Sequence, residues 1–370
     1  MRITFILPNV EISGGVKAVF EFANNLHDRG HNVCVLYPMV LTLPGAKQTI
    51  IELTMRINAG GYKCKQNIQI DWFDLKADLI KVPTLAERHI PDADIVVATW
   101  WATAYSVSRY SNCKGAKFYL AQHYEIWGGP VEKVNNSYKL GLRIIVNSTW
   151  LKNILQDKLK VEVEDLILHS PDLDQFYPEE KKMIGETTRI LMPFRNIEWK
   201  GAQDGIKAFE IVRGKNYNVQ LVMFGPASDK KVPSYVEFHE KAYKDKLREI
   251  YNSCDIFVFP SHVEGFGMPP MEAMLCKCAV VTTNVGAVPD YAIHGKTAMF
   301  CPPKAPEQLA ENIIMLLVDP DLRKRIADAG YKHVVQNFSW DNATTSLEKL
   351  FERVRTQISR TGIKDEMYGG

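Results

Sequence analysis

Residues 1–37 read MRITFILPNVEISGGVKAVFEFANNLHDRGHNVCVLY, and they set the fold class of the chain. An apolar run rich in β-forming residues covers 3–7, and the polar, glycine-containing stretch 8–15 interrupts it. Residues 16–27 then carry apolar side chains at helical spacing, and a second short strand is predicted over 33–37. A strand–helix–strand unit of this length usually pairs its strands in parallel, so the sequence predicts an α/β domain.

Strand-like and helix-like segments alternate along the rest of the chain in two runs. In the first run, the predicted strands are 95–99, 117–121 and 144–147, and Ser148 is the predicted N-cap of a helix over 149–158. In the second run, the predicted strands are 190–192, 220–224, 256–259 and 279–282, and the predicted helices are 201–212, 241–252, 270–275 and 307–317.

A polar stretch at 169–172, which contains a proline, separates the two runs. The sequence therefore predicts an α/β fold of two doubly wound, Rossmann-like domains that face each other across a cleft. The predicted N-terminal domain is 1–170 and the C-terminal domain is 171–345, with a helical tail over 346–370 that returns toward the N-terminal domain. Ligands of such sheets bind at the carboxyl ends of the strands.

The composition narrows the class of function. The 370 residues include 45 basic and 43 acidic side chains, and a net charge of +2 gives no general electrostatic case for nucleic-acid binding. Seven scattered cysteines predict reduced, buried thiols, and Cys276 with Cys278 alone does not make a zinc framework. The start of the chain is not a signal peptide, and no apolar run approaches the ~20 residues that span a bilayer. We expect a cytoplasmic protein.

Residues 41–75 do not fit the strand–helix alternation. Residues 49–57 have a helical pattern of apolar side chains, with basic residues around it and Trp72-Phe73 after it. The segment is predicted to be an acceptor-binding insert or an amphipathic element that contacts the inner face of a membrane. A helix that packs on its own domain is the alternative.

Residues 260–273 read PSHVEGFGMPPMEA and directly follow the predicted strand 256–259. Gly265 and Gly267 permit a tight turn close to a ligand, and the two prolines suit the first turn of a helix. The backbone amides of such a turn, around Phe266 and Met268, could bind a diphosphate. Glu264 and Glu272 flank this turn, where each carboxylate can accept hydrogen bonds from hydroxyl groups. Two solvated glutamates in a loop are the alternative.

This segment resembles the retaining glycosyltransferases of family 4, which have the GT-B fold and a Glu-x7-Glu signature that matches Glu264 and Glu272. The resemblance implies that Glu264 contacts the donor sugar and that Glu272 contacts the nucleotide ribose. Residues 194–201 resemble the Arg-x4-Lys-Gly segment of the same family, which implies that Arg195 and Lys200 neutralise the donor diphosphate. Phe194 departs from the glycine that the family commonly has there. A solvated arginine and lysine are the alternative.

The resemblance also implies site residues in the first domain. Gly14 and Gly15 lie in the first strand-to-helix turn, where the family's loop reaches the donor phosphates, and His123 matches a histidine that touches the donor sugar. Four neighbouring side chains are acceptor candidates, namely Trp100, Trp101, Tyr124 and Glu125. A structural histidine and ordinary aromatic packing are the alternatives.

The resemblance implies retaining transfer of a hexose from a nucleotide-diphosphate sugar to a glycan or lipid-linked acceptor, as in polysaccharide biosynthesis. Neither a cofactor nor a metal ion is predicted, and Asp172-Leu173-Asp174 is interpreted as linker. With no convincing nucleophile in the sequence, front-face attack is preferred. A nucleotide-sugar epimerase or hydrolase on the same fold, and a non-catalytic nucleotide-sugar-binding subunit, are the alternatives.

Overall fold

The structure is a computed structural model that describes residues 1–41, 43, 68–180, 187–226 and 232–368, with side chains up to residue 358. The chain divides into two compact units. The first unit is Met1–His169 together with Trp340–Gly370, and the second unit is Ser170–Ser339. The domain boundaries predicted from the sequence are 170/171 and 345/346, close to the observed boundaries at 169/170 and 339/340.

The first unit contains a seven-stranded sheet in the order β3-β2-β1-β4-β5-β6-β7, and every pair is parallel. Its strands are β1 Arg2–Ile6, β2 Asn32–Pro38, β3 Asp78–Val82, β4 Ile95–Ala98, β5 Ala116–Ala121, β6 Arg143–Val146 and β7 Asp165–Leu166. Its helices are α1 Gly14–Asp28, α2 Trp101–Val107, α3 Val131–Ser137, α4 Thr149–Asn153 with a π-helical turn Ile154–Lys158, and α11 Trp340–Tyr368.

The opening strand–helix–strand unit is as predicted. Ile3 of β1 pairs with Val33 of β2, and the two strands run parallel. Ser13 caps α1 because its hydroxyl accepts a hydrogen bond from the amide of Val16 at 3.2 Å. The apolar face of α1, which includes Phe20, is buried in the first unit.

The second unit contains a six-stranded parallel sheet in the order β10-β9-β8-β11-β12-β13. Its strands are β8 Thr188–Pro193, β9 Val219–Gly225, β10 Glu237–Glu240, β11 Ile256–Phe259, β12 Ala279–Thr283 and β13 Met299–Cys301. Its helices are α5 Ala202–Gly214, α6 Lys244–Asn252, α7 Pro269–Leu275, α8 Val288–Tyr291, α9 Pro306–Val318 and α10 Pro320–Asn337. Two parallel, Rossmann-like sheets confirm the predicted fold class.

The sequence does not predict β3, β7, β10 or β13, and these are the edge strands of the two sheets. An edge strand is covered less completely than a central one, so it needs no continuous apolar run. The β10 sequence, EFHE, shows this, since all of its residues are partly buried or exposed.

The C-terminal helix α11 packs on the first unit. Arg29 donates to the Glu348 carboxylate at 2.7 Å, and His31 bonds the other carboxylate oxygen at 2.6 Å. The rings of Phe118 and Phe351 lie 4.9 Å apart. The helix begins at Trp340, whereas the sequence predicts a tail from residue 346.

Most of the segment 41–75 lies outside the described residues. At its described end, the rings of Trp72 and Phe73 pack against Phe20 of α1 at 5.4 and 5.3 Å. This end of the segment therefore packs on its own unit. Among the described residues, none of the helices combines the length and the apolar character that a membrane span requires.

Candidate functional site

Glu264, in the loop after β11, forms a partly buried ion pair with Lys200 of the helical turn Glu198–Lys200. The Lys200 Nζ lies 2.7 Å from Glu264 Oε1 and 2.9 Å from Oε2. The Ser261 hydroxyl donates to Oε1 at 2.8 Å. The Glu264 side chain is 9% exposed and that of Lys200 is 32% exposed. The carboxylate is therefore fixed in orientation and its charge is balanced before any ligand binds.

Two glycines allow this pair to form. Gly201 follows Lys200 with a φ of +65°, and a Cβ there would lie 1.9 Å from the carbonyl oxygen of Pro260. Gly286 approaches the Glu264 carbonyl oxygen, where an added Cβ would lie at 2.4 Å. Only residues without a side chain permit these approaches, which bring Lys200 against the end of β11 and hold the Glu264 loop in place.

The glycine turn itself presents amides. Gly267 has a φ of +80°, and its carbonyl accepts a hydrogen bond from the Tyr291 hydroxyl at 2.7 Å. The prolines at 269 and 270 have no N–H, and the Met271 amide bonds the Met268 carbonyl at 3.0 Å. Within the described part of the chain, the amides of Gly267 and Met268 have no backbone acceptor. The predicted anion-binding amides therefore belong to the glycine turn, and the first residues of α7 contribute none.

Glu272 lies on α7 and is 9% exposed. Its Oε2 accepts a hydrogen bond from the Tyr251 hydroxyl of α6 at 3.0 Å. Burial, followed by the negative charge of Glu272, raises the pKa of Tyr251 well above its ordinary value, so the phenol stays a donor. Sequence reasoning missed Tyr251, because its contact with Glu272 joins two separate helices, and it assigned no role to Ser261, although Ser261 lies in the segment 260–273.

Arg195 follows β8 and is exposed. It makes no ion pair with any residue that the structure describes, so its charge is available to an anionic ligand. The preceding Phe194 is 1% exposed and packs edge-on against Phe238 at 5.8 Å. Phe194, which stands where the resembled family commonly has glycine, therefore adds a side chain to the core at the end of β8.

The glycine turn of the first unit is held by a chain of side-chain amides. Gln122 Nε2 donates to the Gly15 carbonyl at 3.1 Å, and Asn147 Nδ2 donates to the Gln122 carbonyl at 3.1 Å. An added Cβ at Gly15 would touch the Gln122 amide at 3.4 Å, whereas Gly14 has open space. Sequence reasoning identified the glycines but missed Gln122 and Asn147, since amide side chains at strand ends carry no spacing signal.

His123 directly follows Gln122 in sequence, after β5. Its Nδ1 donates to the Tyr124 carbonyl at 3.0 Å, which places the proton of the neutral ring on Nδ1. The ring contacts Trp127 at 6.3 Å and Trp150 at 5.7 Å, both edge-on. Trp127 is 58% exposed, so this part of the first unit presents an aromatic surface.

Three of the four acceptor candidates are buried, which corrects the prediction that they present a surface to a sugar. Trp101 is 0% exposed, and Tyr124 donates to Asn135 at 2.7 Å from a position that is 6% exposed. Glu125 is 4% exposed and accepts from the Trp101 amide at 2.7 Å and from the Tyr119 hydroxyl at 3.0 Å. Burial raises the pKa of Glu125 to about 8 although both hydrogen bonds lower it. Trp100, which is partly exposed, stays an acceptor candidate.

The Asp172-Leu173-Asp174 segment forms a local turn. Asp172 Oδ1 accepts from the amides of Asp174 at 3.1 Å and Gln175 at 2.9 Å. Such a turn is a common use of aspartate. The described residues contain no group of three or more His, Cys, Asp or Glu side chains able to hold a metal ion.

Comparison with known proteins places these residues in context. Residues 175–333 match the family model of the glycosyl transferases group 1. Over 190 residues, the chain is 30% identical to the capsular polysaccharide biosynthesis glycosyltransferase CapM of Staphylococcus aureus, covering 48% of this chain and 50% of CapM. Over 115 residues, it is 36% identical to an alpha-maltose-1-phosphate synthase of Mycobacterium tuberculosis, covering 30% of each. The chain thus spans half or less of the length of these two curated relatives.

The structure of Anabaena Alr3699/HepE in complex with UDP and glucose is similar over nearly the whole chain. The TM-score is 0.74 at 16% identity, with 95% of this chain and 99% of that chain covered. At this identity the likeness shows the fold alone, which is that of the GT-B glycosyltransferases. Residues 175–333 are thus similar to the glycosyl transferases group 1, while the finer assignment to family 4 stays a prediction.

Proposed function

We propose that this chain is a retaining glycosyltransferase that moves a sugar from a nucleotide-diphosphate sugar to a hydroxyl of a glycan or lipid-linked acceptor without a metal ion. The observation that carries the proposal is the partly buried Lys200–Glu264 pair beside the glycine turn. This pair lies within 175–333, the segment that matches the glycosyl transferases group 1. Arg195, which is exposed and makes no ion pair with the residues that the structure describes, supports the same conclusion.

The donor diphosphate is assigned to Arg195, Lys200 and the amides of Gly267 and Met268. The diphosphate gains negative charge as its bond to the sugar breaks, so fixed cations and amides stabilise the transition state more than the ground state. Lys200 can approach a phosphate from its present position because about a third of its side chain, 32%, is exposed. Glu264 and Glu272 then accept hydrogen bonds from the sugar and the ribose.

The transfer step breaks the bond between the anomeric carbon and the diphosphate oxygen and forms the bond to the acceptor oxygen. The acceptor proton passes to the departing phosphate. Both Glu264 oxygens are engaged by Lys200 and one also by Ser261, which favours an orienting role for Glu264 over nucleophilic attack. We therefore assign front-face attack, with the acceptor hydroxyl entering on the side that the diphosphate leaves.

Two similar proteins support the proposed substrate classes. CapM is a capsular polysaccharide biosynthesis glycosyltransferase, which is consistent with a glycan acceptor. Alr3699/HepE was solved with UDP and with UDP-glucose, which is consistent with a nucleotide-sugar donor. In the first unit, Trp100 and the exposed Trp127 beside His123 are candidates for acceptor contacts.

The decisive test uses Arg195→Gln, with a panel of nucleotide-diphosphate sugars first screened by thermal shift on the full chain. A saturating donor at 100 times its Kd should add ~2.7 kcal/mol to the free energy of unfolding. We expect the substitution to lower kcat/KM for transfer about a hundredfold. The thermal midpoint should not change, because Arg195 is exposed. Arg325→Gln is the matched control, since Arg325 is an exposed arginine of the same unit whose only described ion pair is at 4.0 Å.

Three outcomes would count against the proposal. A near-wild-type transfer rate for Arg195→Gln would show that Arg195 does not bind the donor diphosphate. Donor consumption that is independent of any acceptor would identify an epimerase or hydrolase, and nucleotide binding without turnover would identify a non-catalytic subunit. Loss of activity in EDTA, restored by a divalent cation, would contradict metal independence.

A further inference from the structure

A pocket of about 340 Å³ lies in the second unit, beside the donor site but built from other residues. This volume falls within the ~300–1,000 Å³ that small-molecule sites occupy. Its lining residues are Glu198, Trp199, His262, Val263, Pro303 and Lys304. The lining includes neither Lys200 nor Glu264, although each of these follows a lining residue directly in sequence.

The pocket has a rigid aromatic wall. The Trp199 side chain is 40% exposed, although it lies in a short helical turn that is tightly held. The Trp199 carbonyl accepts from the His262 amide at 2.7 Å, and the Gly201 amide bonds the Glu198 carbonyl at 3.0 Å. An indole that stays exposed on such a fixed backbone offers a preorganised flat, apolar face to a ligand.

Polar groups stand around this aromatic wall. His262 Nε2 bonds Asp204 Oδ2 at 2.6 Å, so in the neutral form of the ring the proton is on Nε2. Among the described residues, none bonds the other ring nitrogen, which can accept a hydrogen bond from a hydroxyl. Glu198 and Lys304 are both exposed. The Glu198 carboxylate can accept a hydrogen bond from a ligand hydroxyl, and the Lys304 ammonium can donate one.

The charges around the pocket do not favour a phosphate. Glu198 and Lys304 balance each other. The helices α5 and α9 begin close to the pocket in sequence, but their first turns already hold acidic residues. Asp204 on α5 pairs with His262, and Glu307 on α9 pairs with Lys207 at 2.8 Å. Each helix end thus carries a carboxylate that offsets part of its positive potential, and Glu198 with Lys304 adds no net charge for a phosphate.

We propose that this pocket is a second binding site and that its ligand is a neutral saccharide. The apolar face of one sugar ring stacks on Trp199, and its hydroxyls bond His262, Glu198 and Lys304. Because Lys200 and Glu264 follow Trp199 and Val263 in sequence, the bound ring lies beside the site proposed for the donor. The site therefore holds a residue of a glycan chain while the donor site is occupied. Binding of the saccharide itself does not depend on the proposed transfer activity.

Trp199 allows a direct test, because it is the sole tryptophan between 170 and 339 in the sequence. The full chain is labelled with 5-fluorotryptophan, and its fluorine NMR spectrum is recorded with maltotriose, mannotriose or chitotriose up to about 10 mM, tenfold above a millimolar Kd. The Trp199 resonance, assigned with Trp199→Phe, is expected to shift with at least one trisaccharide. Saturating UDP should leave that shift in place.

Affinities by calorimetry separate this site from the donor site. Trp199→Ala is expected to weaken trisaccharide binding at least tenfold and to leave UDP affinity unchanged, while Trp199→Phe keeps most of the affinity. Tyr243→Ala is the control, since Tyr243 is 47% exposed in the same unit but does not line the pocket.

The proposal is overturned if no trisaccharide shifts the Trp199 resonance, if UDP displaces the saccharide, or if Trp199→Ala binds as tightly as the wild type. Failure of the proposed transfer reaction would leave these binding results unaffected. The two hypotheses therefore fail in different measurements.

Discussion

Replacing Lys200 by methionine tests whether the fold holds the Glu264 carboxylate as an ion pair. The substitution keeps the length of the side chain and removes the charge that lies 2.7 Å from Glu264 Oε1. Glu264 would then be a carboxylate that is 9% exposed, with the Ser261 hydroxyl as its remaining described side-chain donor.

The magnitude follows from the burial of the two partners. Breaking a fully buried pair costs ~3–5 kcal/mol, because an uncompensated charge stays in the interior. Since Lys200 is 32% exposed, water can reach part of the vacated position, and we expect about 2 kcal/mol for Lys200→Met. Adding Glu264→Gln removes the buried charge, so the double variant should regain about 1 kcal/mol relative to Lys200→Met.

The control is Lys207→Met, which breaks an ion pair of nearly the same length. Lys207 lies 2.8 Å from Glu307, but these side chains are 58% and 62% exposed. We expect no measurable change there. Urea unfolding of the chain labelled with 5-fluorotryptophan, read at the Trp199 resonance, follows the second unit alone. The reasoning would be refuted if Lys200→Met and Lys207→Met had equal effects, or if Glu264→Gln failed to offset Lys200→Met.

Three further substitutions test the local physics. Gly201→Ala should destabilise the second unit by roughly 2 kcal/mol or more, because the added Cβ would lie 1.9 Å from the Pro260 oxygen at a φ of +65°; unchanged urea midpoints would contradict this. The raised pKa of Glu125, about 8 against an ordinary 4.5, means that the folded state binds the extra proton. Stability should therefore fall as pH rises from 4.5 to 8, by at most about 1.4 kcal/mol per unit, and Glu125→Gln should remove this slope. Burial lowers the pKa of His169 from 6.5 to about 3, so the stability that the neutral ring contributes is present above pH 6.5 and is lost as the pH falls toward 3. The His169→Phe variant should therefore lose less stability than the wild type between pH 6.5 and 3, as measured by acid unfolding.

Central parts of the fold were predictable because their sequences carry a periodic signal. The strands β1, β2, β4, β8 and β11 are apolar runs that are buried on both faces, and α1 has one apolar stripe. The edge strands lack this signal, since partial cover tolerates polar side chains such as those of β10. The first turn of α11 was missed because its contacts, such as that of Asp341 with Arg29, join residues that lie far apart in the chain.

Candidate donor residues were predictable to the extent that they share a motif. Glu264 and Glu272 are close in sequence, and the glycines and prolines between them indicate a tight turn. The contact of Tyr251 with Glu272 was not predictable, because Tyr251 lies on another helix, and the Ser261 hydrogen bond to Glu264 depends on how the loop folds. Acceptor candidates were the weakest predictions, since aromatic residues at strand ends serve cores and ligands equally well, and Trp101 proved to be fully buried.

The sequence by itself determined two parallel α/β sheets, the glycine turn after β11, and the set of charged residues in the second unit. Periodicity and backbone freedom are local properties, and both can be read along the chain. Only the tertiary structure decided that Lys200 binds both oxygens of Glu264, that Glu125 is buried with a raised pKa, and that Trp199 forms the wall of a pocket. Burial, charge pairing and exposure depend on which distant residues meet, and that is settled only when the elements pack.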